Sequence, residues 1–212
     1  MAEILFLHPS RSYTFNQIQD SSLRDALDAQ DIYDLPSLDL GAYRALAITS
    51  ACDQEFLLEH AQPIRQFLDQ RKVLVFSGHL FRPWLPGAGM FQPKTIRSHH
   101  DYTVRLVKQH PVFDGVREDD LTFRKGVAGF FARGHHEPPP GAEILARLVD
   151  AEHGEPIVYV DRVSTAGVIL VHAGNDLLAS VDRDSTAGRI APRLIRWMLA
   201  EAAAQARSEV PA

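Results

Sequence analysis

The sequence has one cysteine, Cys52, in 212 residues. A lone thiol excludes an internal disulfide framework and is what a reducing compartment leaves, so a cytoplasmic location is expected. Nor is there an apolar run near the ~20 residues of a membrane-spanning helix, so no membrane partner is expected. The opening Met-Ala-Glu-Ile-Leu-Phe-Leu-His-Pro lacks a basic segment before its short apolar stretch and reads as a first strand, not a signal peptide. Positive charge is not in excess either, with 22 Lys and Arg against 27 Asp and Glu. Without a basic stripe interleaved with aromatics there is no electrostatic footprint for nucleic acid, which leaves a small-molecule ligand or a protein partner. No internal repeat or linker breaks the chain, so residues 1–212 are expected to form one domain, with a homodimer the commonest assembly for such a chain. No cofactor is indicated.

What is present is a globular composition, 45% hydrophobic and 23% charged, with ten histidines as its one oddity. Apolar runs at Glu3 to His8, Arg44 to Ser50, Lys72 to Phe76 and Gly167 to His172 read as strands, that of Arg44 to Ser50 as one buried on both faces. Between them an amphipathic stretch from Asn16 to Gln30 predicts a helix, and Asp31 to Leu35 a short second strand. Asp53 is placed to cap a helix that Pro63 restarts, with Phe56, Leu57, Ile64, Phe67 and Leu68 on its apolar side. Tyr102 to Val107, Ala142 to Val149 and Ile157 to Asp161 predict further strands, and Leu121 to Phe131 a strand or a strand and loop. A final helix, capped by Asp184 or Ser185, carries Ile190, Leu194, Trp197 and Met198 at helical spacing, with a tail expected to fray from Ala202. Two irregular segments interrupt the pattern: a Pro/Gly/aromatic flap at 81–98 and a histidine-containing loop at 132–141. Strands alternating with helices predict an α/β fold with a mostly parallel sheet, whose ligands bind beyond the strands' C-terminal ends.

Three segments resemble the class I glutamine amidotransferase-like superfamily, and within it the ThuA-like branch named for trehalose utilisation. They are Ala45 to Ile48 followed by a helix and Val73-Leu-Val-Phe-Ser-Gly-His79; His110-Pro-Val-Phe-Asp-Gly-Val116; and Gly167-Val-Ile-Leu-Val-His-Ala-Gly-Asn-Asp176. The resemblance covers roughly residues 3 to 200 and implies a flavodoxin-like three-layer α/β/α sandwich with its pocket at a strand-to-helix elbow. In that family the elbow carries a cysteine, served by a histidine from a late strand and a nearby acid. Here the nucleophile position falls on Phe76, Ser77 or Gly78, and the histidine matches His172. The acid two residues on falls on Gly174, with Asp176 displaced by two more.

Ser77, His172 and Asp176 would make a serine triad if they met in space, although Phe76 and His79 replace the small flanks a strained serine elbow needs. His79, one residue past Gly78 at the ligand edge, is a candidate general base or ligand contact. The ligand-binding set is Gly78, His79, Arg82, Trp84, His100, Arg133 and Asn175, and Arg82, Arg97, Arg124 and Arg133 would suit an anion if they pointed inward. No metal site is expected, because adjacent histidines on an extended chain point apart; His79, His100, His135 and His172 are the weak candidates. The Cys52 thiol reads as a small buried or half-buried side chain at a helix start, with a thiol activated by the helix N-terminus as the alternative.

These observations leave an amidotransferase-like domain without its elbow cysteine, binding a small sugar-like or anionic ligand or a protein partner. The alternative is a hydrolase without a cysteine nucleophile, or a metal-dependent enzyme of the same fold, with a ThuA-like role in carbohydrate metabolism resting on the resemblance alone.

Overall fold

The computed structural model describes residues 2–10, 12–180 and 184–207. Along the chain run β1 (Ile4–His8), α1 (Tyr13–Gln19), β2 (Leu27–Asp31), β3 (Ala45–Ile48), α2 (Gln54–Glu59), α3 (Ala61–Asp69), β4 (Val73–Ser77) and β5 (Phe91–Pro93). Next come β6 (Val104–Leu106), α4 (Glu118–Thr122), β7 (Phe123–Arg124), β8 (Val127–Ala128) and β9 (Gly134–His136). The chain then forms β10 (Glu143–Leu148), β11 (Pro156–Asp161), β12 (Val168–His172) and α5 (Ile190–Arg207).

Eight strands form one sheet in the order β2-β1-β3-β4-β12-β11-β10-β6. The first five are mutually parallel, and β11, β10 and β6 each run antiparallel to the neighbour before them. The sheet is therefore mostly parallel, as expected, with an antiparallel flank at one side.

Because side chains alternate across a strand, each central strand feeds two apolar clusters. Ile4, Phe6, Ala47, Val75 and Leu170 join Ile18 of α1 and Leu194 and Met198 of α5. Leu5, Leu7, Ile48, Phe76 and Val171 join Leu57 of α2 and Ile64, Phe67 and Leu68 of α3. Two-sided burial is why these strands are apolar throughout, and each large side chain so buried contributes roughly 1.5–3 kcal/mol. The expected cap is present: the Asp53 carboxylate accepts the N–H groups of Glu55 and Phe56, and Pro63 sits in the first turn of α3.

The outer strand of the antiparallel flank is closed to further pairing. Val104 N–H donates to the Thr122 hydroxyl at 2.9 Å and Leu106 N–H to the Glu118 carboxylate at 2.8 Å, so α4 satisfies the donors a free edge would expose.

Four local expectations are corrected. The helix over Asn16 to Gln30 stops at Gln19, because the Ser21 hydroxyl donates to Ile18 O and accepts from Leu23 N–H, drawing the backbone away from helix bonding. Leu27–Asp31 is a strand instead, paired in parallel with β1, and the strand expected over Asp31 to Leu35 is a 3-10 turn capped by the Asp31 carboxylate. Leu121 to Phe131 holds the end of α4 and a β7–β8 hairpin, turned by Lys125 and Gly126 with φ of 50° and 79°. The tail from Ala202 stays helical to Arg207. The 81–98 flap and the 132–141 loop are joined, since β5 and β9 pair as an antiparallel ribbon. Of the two proposed final caps, Ser185 precedes a 3-10 turn leading into α5 and makes no side-chain capping bond. No helix among the described residues is long and apolar enough to cross a membrane.

Candidate functional site at the parallel-strand ends

At the end of β4, Gly78 has φ of 149°, and a Cβ there would lie 2.8 Å from Ser50 Cα. Only glycine fits that conformation so close to another backbone. Its N–H donates to His172 O at 2.9 Å, locking the turn to β12. Gln54 ties down the backbone just past this turn: its side-chain oxygen accepts from Phe81 N–H at 2.9 Å and Arg82 N–H at 3.3 Å, and its amide donates to His79 O at 2.7 Å. Buried His136 accepts from Leu80 N–H at 3.0 Å through Nε2, and burial pushes its pKa down to about 4. The flap is thus an ordered clasp with Trp84 sealed beneath it.

The catalytic candidates are neighbours without being joined. Ser77 and His172 are register partners on β4 and β12. Ser77 is buried, and its hydroxyl accepts Leu177 N–H at 3.3 Å. Neither ring nitrogen of His172 has a hydrogen-bond partner among the described residues. The ring lies 4.4 Å from that of Phe131, and burial drives its pKa down to about 3, the nearby backbone of Asn175 and Phe131 opposing only in part. Asp176 turns elsewhere: its carboxylate accepts Ser50 N–H at 2.7 Å, the Ser50 hydroxyl at 3.3 Å and the Thr14 hydroxyl. Burial raises its pKa to about 6, against the pull of those donors.

The remaining candidates are dispersed. His79 is exposed and stacks on Phe91 at 3.7 Å; partial burial and the Arg133 charge lower its pKa. Arg82 pairs with exposed Glu55. Arg133 donates to Gly129 O at 2.9 Å and lies over the Tyr102 ring. His100 is exposed against His99, and His135 lies on β9. Among the described residues no group of three His, Cys, Asp or Glu side chains is placed to hold a metal ion. Cys52 is buried at 5% exposure, and desolvation pushes its thiol up to about 12.

A cavity of about 340 Å³ opens beside the elbow, over the residues that come after β1, β3 and β12. Thr14, Ser50, Asn175 and Asp176 line it, and the walls come from Tyr13, from Phe123 and Arg124 of the hairpin, and from Phe130 and Phe131. Of the sequence candidates Arg124, Asn175 and Asp176 belong to it. The hairpin went unseen because its two-residue strands leave almost no alternating pattern; the Lys125-Gly126 pair was the usable signal. A larger, open groove of about 980 Å³ runs between α5 and the segment after β6. It lies where β6 ends, and β6 runs opposite to β1, β3, β4 and β12, so it is remote from these strand ends.

No family model and no curated protein sequence matches the chain. Solved structures do match. The mmIFT52 N-terminal domain is 12% identical over 92% of this chain and 96% of its own, with a TM-score of 0.52. A chain in the structure of PurLQS from Thermotoga maritima is 10% identical over 93% of this chain and 99% of its own, also with a TM-score of 0.52. The likeness shows a related fold. At such identities it carries no activity across.

Proposed function

We propose that this chain is an amidotransferase-like domain of the flavodoxin-like, three-layer kind that lacks the elbow cysteine and binds a small polar ligand at the C-terminal ends of its parallel strands. The three-layer reading is supported by the two apolar clusters, which draw on alternate residues of the same strands and on different helices. The binding reading rests on one observation: the cavity over Thr14, Ser50 and Asp176 is open, whereas Ser77 beside it is buried with its hydroxyl already bonded. Ligand sites of α/β sheets lie at such strand ends.

A serine hydrolase built on Ser77, His172 and Asp176 has less support, since His172 bonds to neither partner and Asp176 is held by Thr14 and Ser50. A ThuA-like role in carbohydrate metabolism rests on the sequence resemblance alone. The test is a thermal-shift screen of sugars, sugar phosphates, amino acids and nucleotides, repeated on Ala51→Trp, which fills the cavity mouth, and on Ser77→Ala. A stabilising compound that loses its effect in A51W and keeps it in S77A is the expected result. Turnover of a hydrolysable ester or amide that S77A abolishes would overturn the proposal.

A further inference from the structure

Exposed apolar side chains gather at the mouth of this cavity. Tyr13 is 57% exposed, Phe123 38% and Phe130 40%, and all three line the cavity. Isolated exposed apolar residues need no explanation, but a group of aromatics around a cavity marks a binding surface. Arg124 joins them: its guanidinium donates to the Tyr13 hydroxyl at 3.2 Å and lies 5.7 Å from the Phe130 ring centroid. Neither Arg124 nor Lys125, which also lines the cavity, has an ion-pair partner among the described residues. Two cations beside exposed rings favour a ligand that is both flat and anionic.

The floor has the opposite character. A carboxylate accepts about four hydrogen bonds, and Asp176 receives three, from Thr14 and twice from Ser50. Asn175 holds Phe130 O with its amide N–H at 2.7 Å, which leaves its carbonyl oxygen as an acceptor. An acceptor-rich floor selects a ring whose edge carries N–H groups, as a nucleobase does.

Resting on the binding reading above, we infer that the cavity takes a nucleobase-like heteroaromatic ring bearing an anionic group. The ring stacks among Tyr13, Phe123 and Phe130, the anion meets Arg124 and Lys125, and the N–H edge faces Asp176 and Asn175. At about 340 Å³ the cavity lies at the small end of ligand pockets, the size for a single mononucleotide-like molecule.

The test is calorimetric titration of the whole chain with AMP, GMP, CMP and UMP, with guanosine and ribose 5-phosphate as halves of the ligand, and with indole-3-carboxylate as a carboxylate analogue. At least one mononucleotide or the carboxylate should bind more tightly than either half, which also separates a phosphate from a carboxylate source. R124A and K125A should each weaken it about tenfold, the scale of one charge-assisted hydrogen bond, without lowering Tm. F123A should weaken nucleoside and nucleotide alike. Binding that A51W abolishes, but only by uncharged or aliphatic compounds, would overturn the ligand class and leave the pocket reading standing. Binding unaffected by A51W, R124A and F123A, or no binding by any of these probes, would overturn the inference; only the first also contradicts the pocket.

Discussion

Two neighbouring stretches of the same sheet edge have been put to different use. At the elbow, between β4 and β12, the polar groups are occupied or dry: Gly78 N–H holds His172 O, Ser77 takes Leu177 N–H, and the His172 ring is buried against Phe131. At the cavity, beyond β1 and β3, Ser50 and Asp176 hold each other yet still line open space beside exposed rings and cations. A residue's place at a ligand edge is therefore a weak guide to its role, and the state of its partners a better one.

The contrast breaks hardest at Gly78. Gly78→Val forces a branched side chain into φ of 149° against the Ser50 backbone and should cost about 3 kcal/mol or more, read as a lower midpoint in urea. At the hairpin tip a Cβ on Gly126 meets nothing within 4 Å, so Gly126→Ala pays only for its φ of 79°, about 1–2 kcal/mol. Equal losses would mean the elbow is no tighter than the hairpin.

Acid should separate the regions by sign. His172 and His136 titrate near 6.5 when unfolded but at about 3 and about 4 when folded, so the stability they contribute is complete above pH 6.5 and is lost as pH falls through their folded values. Asp176 runs the other way, from 3.8 unfolded to about 6 folded: its contribution is full below pH 3.8 and is lost as pH rises through about 6. Near pH 5 the two histidines outweigh the one aspartate, and unfolding free energy should drop by about 1 kcal/mol per pH unit on acidification. Asp176→Asn removes the opposing group and should steepen that drop between pH 6 and 4; an unchanged slope would sink the assignment.

Gln54→Leu removes three bonds to the clasp over residues 79–82 and should cost about 2 kcal/mol, with faster amide exchange at Phe81 and Arg82. Ser77→Ala removes one long hydrogen bond and should cost about 1 kcal/mol or less in a denaturant titration. A larger loss would give Ser77 a weight its geometry does not explain.

The sequence carried the centre of the fold well, for a physical reason. β1, β3, β4 and β12 are buried on both faces, so their apolar runs could be read directly, as could the Asp53 cap. β2 is not legible in the sequence because Leu-Asp-Ala-Gln-Asp is an edge strand, half-buried, made a strand by pairing with β1 and not by its own pattern. The elbow was found because Gly78 punctuates an apolar run. The cavity is not legible in the same way: Asp176 and Arg124 stand out singly, but Thr14 and Ser50 are ordinary residues, and the four are far apart in sequence until the sheet brings their loops together.

The most direct measurement of the central claim, that binding belongs to the cavity and not to the elbow, is the thermal-shift screen run in parallel on wild type, A51W and S77A. The account predicts a compound that raises Tm in wild type and S77A alike and does nothing in A51W. A compound that stabilises A51W as well as wild type but fails on S77A would contradict it.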